Sequence, residues 1–177
     1  MLSTQEESGG IRDISQRHIR MSGVSFEVVD KYKDAVYRAA LTVTGNFADA
    51  EDIMQEVFLQ YFQAHPAFES PAHEKAWLLR CAINAGRNLR RSMWRHPRAD
   101  VDVTEIAAEP ENPRGGVVLA AVLRLPERYR TVIYLHYYEK YTPSEIARMT
   151  NSTETAVYKQ LSRARAKLRK KLGGDAV

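Results

Sequence analysis

Residues 142–165 read TPSEIARMTNSTETAVYKQLSRAR, and this stretch decides the fold of the last third of the chain. It opens with a capping box, in which Thr142 and Glu145 flank a proline at the first helical position. Asn151 lies in the following three-residue turn, where asparagine tolerates left-handed backbone better than most residues. A second amphipathic helix then begins at Glu154. The spacing therefore predicts a helix-turn-helix.

The outer face of this second helix forms one polar and basic stripe, which is typical of a helix that reads base edges in the major groove of duplex DNA. Its members are Thr155, Tyr158, Lys159, Ser162 and Arg163, and Gln160 nearby could read adenine. The bases that follow, from Arg165 to Lys171, suit contacts to phosphates. A solvated basic face is the alternative interpretation. The capped helix, the turn and the second helix together favour DNA.

The rest of the chain predicts an all-α protein of two small helical domains joined by a flexible linker. Helical periodicity begins at Ser25, restarts after the Gly45-Asn46 break and restarts again near Glu74. The predicted organisation is a flexible tail at 1–24, a helical domain at 25–97, an acidic linker at 98–116, the helix-turn-helix domain at 117–172 and a short tail at 173–177. The linker carries five acids against two bases.

The third predicted helix carries a basic and amide stripe opposite its apolar stripe. The stripe consists of Arg80, Asn84, Arg87 or Asn88, Arg91 and Arg95, with Trp77 and Trp94 at its two ends. Cations interleaved with amides and aromatic rings suit a nucleic-acid strand whose bases can be unstacked. An arginine face that only covers apolar surface is the alternative.

The second predicted helix is acidic on one side, through Asp49, Asp52, Glu56 and Gln60. An acidic face repels DNA, so its functional interpretation is a docking surface for a basic protein. The alternative is a solvated helix start favoured by the helix dipole.

Composition excludes several other classes. The chain has 177 residues, a formal net charge of +4 and one cysteine, so no internal disulfide can form, as expected in a reducing compartment. The five histidines lack metal-ligand spacing, and no nucleophile motif or phosphate loop is present. We expect no enzyme activity, no metal and no cofactor. No apolar run approaches a membrane span and no signal peptide is evident, so we expect a cytoplasmic protein.

Four motifs in order resemble the bacterial extracytoplasmic-function (ECF) sigma factors of the sigma-70 family. Residues 49–59 (DAEDIMQEVFL) and 75–84 (KAWLLRCAIN) are similar to region 2 of that family. Residues 125–133 (LPERYRTVI) and the helix-turn-helix with its SRARAKL tail are similar to region 4. The resemblance covers about residues 26–172.

The resemblance implies a transcription initiation factor that joins core RNA polymerase and directs it to promoters. It matches Asp49, Asp52, Gln55 and Glu56 to the helix that docks on the β′ clamp helices, and it implies the β flap as a second polymerase contact. It matches Arg80, Asn84, Asn88 and Arg91, with the loop at 66–76, to the reader of the −10 element. It matches Thr155, Tyr158, Lys159, Gln160 and Arg163 to the −35 reader. An anti-sigma factor is a further implied partner.

Two other functions stay open from the residues alone. A stand-alone helix-turn-helix regulator with a sensing or dimerising first domain would bind a palindromic operator without polymerase, but it leaves the acidic helix unexplained. A helical enzyme with a DNA-binding appendage lacks any catalytic constellation.

Overall fold

The computed structural model describes residues 27–64, 66–93, 118 and 120–172. The predicted tails at 1–24 and 173–177 and the predicted linker at 98–116 lie outside the described residues. The chain divides into two compact units, Met1–Asp34 and Ala35–Val177. Of the first unit, residues 27–34 are described, and they are helical.

Three helices form the first half of the described chain. Helix α1 covers residues 27–44, α2 covers Phe47–Ala64 and α3 covers Pro71–Met93. Asn46 starts α2 as the sequence predicts, because its side-chain Oδ1 accepts a hydrogen bond from the Asp49 backbone N–H at 3.0 Å. Helix α3 begins three residues before the predicted Glu74, since the Ser70 hydroxyl accepts from the His73 backbone N–H at 3.2 Å.

From Ala35 onward these helices enclose an apolar core, and we call residues 35–93 the first lobe. Val36, Val43, Val57, Leu78 and Ile83 in this core are almost completely buried. At the contact between α1 and α3 the backbones approach closely: a Cβ added to Gly86 would lie 3.0 Å from the Val43 side chain. The charged residues of α2 and α3 are left on the outside of this lobe.

The second lobe comprises the described residues from 118 to 172. Residues 120–123 form α4, and α5 covers Glu127–Ile133. The sequence predicts an unbroken helix from Glu127 to Glu139, but Tyr134–Tyr138 is a π-helical turn. Its defining bond runs from the Glu139 backbone N–H to the Tyr134 carbonyl at 3.2 Å, five residues back. Helices α6 (Pro143–Thr150) and α7 (Glu154–Lys171) complete the lobe.

The second lobe is built around the apolar stripe of α7. Val157, Leu161, Ala164 and Leu168 are buried on this stripe, and α5 and α6 pack against the helix. Ile146 on α6 has no exposed surface. Every regular element in the described ranges is helical, so the all-α prediction is confirmed.

The two lobes lie in the same compact unit and contact each other. Helix α3 of the first lobe meets α6 of the second, and the C-terminal end of α1 meets α5 through side-chain hydrogen bonds. The sequence predicts two domains on a tether and gives no sign of this contact.

Candidate nucleic-acid interface

The helix-turn-helix begins with the capping box that the sequence predicts. The Thr142 hydroxyl accepts from the Glu145 backbone N–H at 3.3 Å, and the Glu145 carboxylate accepts from the Thr142 backbone N–H at 2.8 Å. Because that backbone N–H and the Thr142 hydroxyl both stabilise the charged carboxylate, the pKa of Glu145 lies below its ordinary value. The first turn of α6 is therefore fixed by two reciprocal bonds.

The turn between α6 and α7 is also fixed by local bonds. Asn151 has φ 52° and ψ 52°, the left-handed conformation that the sequence predicts. The Ser152 backbone N–H donates to the Ala147 carbonyl at 2.9 Å, which satisfies a carbonyl at the end of α6. The Thr153 hydroxyl then caps α7 by accepting from the Ala156 backbone N–H at 3.2 Å. These bonds hold α7 at a defined angle to α6.

The outer face of α7 is open to solvent over most of its predicted DNA-reading stripe. Thr155, Tyr158, Lys159 and Arg163 are exposed, with Tyr158 at 55% exposure, and Gln160 is half-buried. The stripe continues through the exposed bases Arg165, Lys167, Arg169, Lys170 and Lys171. The structure thus brings the predicted −35 residues together on one face, with cations extending it towards the C-terminal end.

Arg163 also approaches α5. Desolvation acts to raise the pKa of Tyr129, but hydrogen bonds and positive charge from Arg128 and Arg163 outweigh it, so the net shift is downward. Arg163 on the outer face of α7 therefore contacts Tyr129 of α5.

On α3, the four predicted −10 residues share the solvent side of the helix. Arg80, Asn84, Asn88 and Arg91 are exposed, while Leu78, Leu79, Ala82 and Ile83 are buried on the other side. A surface groove of about 410 Å³ lies beside the stripe and is lined by Arg87, Arg90, Arg91 and Glu127. Two of these three guanidinium groups already have protein partners, because Arg87 pairs with Glu127 and Arg90 Nη1 donates to the Val43 carbonyl at 3.3 Å.

Arg87 differs from its neighbours because the second lobe holds it. Its Nε donates to Glu127 Oε1 at 3.1 Å, and its Nη1 donates to the Thr150 carbonyl at 3.0 Å. The guanidinium is half-buried in this arrangement. The sequence places Arg87 on the basic stripe together with Asn88, but no local pattern reveals these partners.

An aromatic cluster anchors the loop before α3. The ring of Phe68 lies 6.0 Å from that of Tyr61 and 5.8 Å from that of Trp77, measured between centroids. Trp77 is half-buried in this cluster, as expected for a packing residue. Trp94, which the sequence suggests as a ligand-facing ring, lies outside the described residues. The cluster fixes the loop that joins the acidic helix α2 to the basic helix α3.

The acidic face of α2 is exposed except at its first member. Asp52, Gln55 and Glu56 are exposed, whereas Asp49 is buried at 9% exposure and lies in the first turn of the helix. A buried carboxylate is unsuited to a surface contact, so the structure separates Asp49 from the other three predicted residues.

Leu59 is a residue that sequence reasoning missed on this face. It is 61% exposed, which is unusual for a large aliphatic side chain. At about 100° per residue it projects between Gln55 and Glu56. The signal was present in the sequence, because Leu59 falls off the buried stripe of Ile53 and Val57.

The described residues offer little for catalysis. Within them, no group of three or more histidine, cysteine or acidic side chains could hold a metal ion. Burial raises the pKa of the Cys81 thiol, which makes it a poor nucleophile. No helix in the described ranges is long and apolar enough to cross a bilayer.

Comparisons with known proteins agree on both lobes. The family model "Sigma-70 region 2" matches residues 28–96, and "Sigma-70, region 4" matches residues 116–168. The ECF RNA polymerase sigma factor SigW of Bacillus subtilis is 30% identical over 163 residues, which cover 82% of this chain and 87% of SigW.

Two solved structures have a similar fold. The sigma factor RpoE from Bartonella quintana, in complex with the anti-sigma factor NepR, matches with a TM-score of 0.69 at 19% identity, covering 85% of this chain and 97% of that one. CnrH, in complex with the cytosolic domain of CnrY, matches with a TM-score of 0.60 at 25% identity, covering 88% and 91%.

Proposed function

Since the chain belongs to the ECF sigma factors of the sigma-70 family, we propose that α2 docks it on core RNA polymerase while α3 and α7 read the two promoter elements. The chain is a transcription initiation factor, and its partners are core polymerase and promoter DNA. The observation that supports assigning different partners to different helices is that exposed acids and exposed bases lie on different helices. Acids are exposed on α2, whereas bases are exposed on α3 and α7.

The polymerase contact is assigned to Asp52, Gln55, Glu56 and Leu59. The three polar residues surround an exposed leucine, so a basic partner helix would meet carboxylates around an apolar centre. Interfaces concentrate their binding energy in such central apolar side chains ringed by polar groups. Asp49 is left out of this surface because it is buried. The β′ clamp helices are the proposed partner element, and the β flap is proposed to contact the second lobe.

The DNA contacts are assigned by exposure and position. Thr155, Tyr158 and Lys159 lie in the first two turns of α7, where a recognition helix meets base edges. Gln160 and Arg163 continue the same surface, and the more C-terminal bases meet phosphates. On α3, Arg80, Asn84, Asn88 and Arg91 are proposed to hold the −10 strand.

The domain limits and two cellular properties complete the proposal. We propose domains at 25–97 and 117–172, joined by the linker at 98–116, and the matched ranges 28–96 and 116–168 support these limits. The proposed compartment is the cytoplasm, where bacterial polymerase works. An anti-sigma factor is a proposed regulator, as RpoE was crystallised with one.

Capture by immobilised core polymerase tests the docking face. We expect Asp52→Lys with Glu56→Lys to abolish capture, because both substitutions reverse charge on the proposed contact. Glu69→Lys with Glu154→Lys is the matched control: it makes the same total charge change at two exposed sites outside α2, and it should keep most of the capture. Undiminished capture of the double variant would refute the assignment of this face.

Leu59→Ala tests the apolar centre separately. Burying a leucine side chain stabilises a contact by about 1.5–3 kcal/mol when it is fully removed from water. Since Leu59 is already partly covered, we expect a loss of about 1–2 kcal/mol, or roughly tenfold in the dissociation constant. Fluorescence anisotropy titration with core polymerase measures it, and an unchanged constant would remove Leu59 from the interface.

A further inference from the structure

An exposed tyrosine lies near the start of α7. Tyr158 is 55% exposed, and its side chain takes part in no hydrogen bond, ion pair or ring contact among the residues that the structure describes. More than half of its surface is therefore available to a partner. Single exposed aromatic residues are common on protein surfaces, so exposure alone assigns no role. The position of Tyr158 and the charge of its neighbours say more.

Tyr158 lies in the second turn of α7, on the side that faces away from the second lobe. Val157 and Leu161 are buried against the lobe, and this burial fixes the rotation of the helix about its axis. A recognition helix presents its N-terminal turns to base edges, whereas residues further along the helix meet phosphates. The ring of Tyr158 is therefore placed at the depth where bases are read.

The exposed neighbours of Tyr158 one turn away carry no positive charge. Thr155 lies three positions before it and Ser162 four positions after it, so at about 100° per residue both lie within about 60° of it around the helix axis. We call Thr155, Tyr158 and Ser162 the aromatic side of α7. Glu154, four positions before Tyr158, is an exposed acid. These turns of the aromatic side therefore do not attract a phosphate.

The cations of the same turns lie on the other side of the outer face. Lys159 lies about 100° and Arg163 about 140° from Tyr158 around the helix axis. Arg163 contacts Tyr129, so this cationic side adjoins α5. The outer face of α7 is therefore divided along its length into a cationic side and the aromatic side.

The chemistry of the major groove restricts what the aromatic side can bind. In a duplex the bases are stacked, so a tyrosine that enters the groove reaches base edges and not base faces. The edges of adenine, guanine and cytosine present hydrogen-bonding atoms, whereas thymine also presents its C5-methyl group. An aromatic ring with no cation beside it gains free energy by covering this methyl group, because apolar surface on both partners leaves water.

We propose that Tyr158 selects an A·T base pair in the −35 element by packing its ring on the C5-methyl group of the thymine. The proposal rests on the proposed function, since it assumes that α7 reads the −35 element. The contact uses the ring and not the phenol hydroxyl. Phenylalanine should therefore replace Tyr158 without loss of the thymine preference, whereas alanine should not.

Transcription from a pool of random templates tests the base preference. Core polymerase with the full chain transcribes templates that have random sequence upstream of a fixed transcribed segment, and sequencing of the active templates gives the preference at each position. Wild type and Tyr158→Phe should favour thymine at one position of the −35 element. This preference should fall at least threefold in Tyr158→Ala and change to guanine in Tyr158→Arg, because arginine pairs with the guanine edge.

Tyr138→Ala is the matched control for these variants. Tyr138 is 56% exposed and lies outside α7, so the same substitution removes an equally exposed ring from another surface. Every base preference should stay as in the wild type.

Deoxyuridine tests the methyl group itself, because it differs from thymidine only in lacking that group. On one selected template, deoxyuridine in place of the preferred thymidine should weaken holoenzyme binding about fourfold for the wild type and Tyr158→Phe. It should leave the binding of Tyr158→Ala unchanged. Deoxyuridine at a thymidine outside the −35 element is the control template, and fluorescence anisotropy measures each dissociation constant.

Several outcomes would overturn the proposal. One is a wild-type dissociation constant that deoxyuridine does not change, and another is a thymine preference that survives Tyr158→Ala. Loss of the preference in Tyr158→Phe would also overturn it, since the contact would then belong to the hydroxyl. If the wild type transcribes no template of the pool, the proposed function itself fails, and the base assignment fails with it.

Discussion

Gly45→Ala is the substitution for which the structure gives the sharpest expectation. Gly45 follows the last residue of α1 and has φ +69°, a backbone conformation that costs an alanine about 1–2 kcal/mol. A Cβ at this position would also lie 2.9 Å from Arg130 Nη1, closer than real Cβ atoms come to their neighbours. Displacing a buried side chain in this way costs about 1–3 kcal/mol more. Both terms lower the free energy of unfolding.

A double-mutant cycle separates the two terms. In an Arg130→Ala background the guanidinium is gone, so Gly45→Ala should cost only the backbone term of about 1–2 kcal/mol. In the wild type it should cost at least about 1 kcal/mol more. Urea unfolding followed by circular dichroism in the far ultraviolet measures both. Equal costs in the two backgrounds would refute the inference that Arg130 fills the space above Gly45.

Three further expectations concern the helix-turn-helix. Asn151→Ala should lower the free energy of unfolding by about 1 kcal/mol while Asn151→Gly should not, because only alanine is strained at φ 52°; equal urea midpoints would contradict this. Glu145→Ala should cost about 0.5–1 kcal/mol at neutral pH. Because folding lowers the pKa of Glu145, the full cost of the substitution is expected above the unfolded-state pKa, and the cost should vanish as the pH falls through the folded-state pKa. A difference in unfolding free energy between Glu145→Ala and the wild type that persists in strong acid would contradict this expectation. Lys170→Ala should reduce the slope of log affinity against log salt by about 0.9 without changing sequence preference, whereas an altered preference would place Lys170 on a base edge.

The features that the sequence predicts correctly are those that depend on residues close together in the chain. The capping box of Thr142 and Glu145, the left-handed Asn151 and the Asn46 cap each depend on residues within a few positions of one another. The exposed stripe of α7 follows from helical periodicity alone. These features were therefore readable before any tertiary structure was known.

What the sequence did not predict depends on pairs far apart in the chain. Arg130 and Val43 are 87 positions apart, and Thr42 and Thr131 are 89 apart. No periodicity in the sequence links such residues. A pattern of two domains with a linker between them instead predicts that the two domains lie apart. The burial of Asp49 was missed for a related reason: an acid at a helix start looks exposed until the neighbouring helices are in place.

The π-helical turn at Tyr134–Tyr138 determines how many residues the chain needs between α5 and α6. A π-turn holds one residue more than the α-turn that it replaces, so it behaves as a single-residue insertion. Because the wide turn absorbs the extra residue, the residues after it keep the orientation that they would have in a regular helix one residue shorter. Glu139, which forms an ion pair with Lys75, should therefore keep its place when one residue of the turn is deleted and the turn winds as α-helix. Relatives with an unbroken helix here are expected to align with this chain across a one-residue gap.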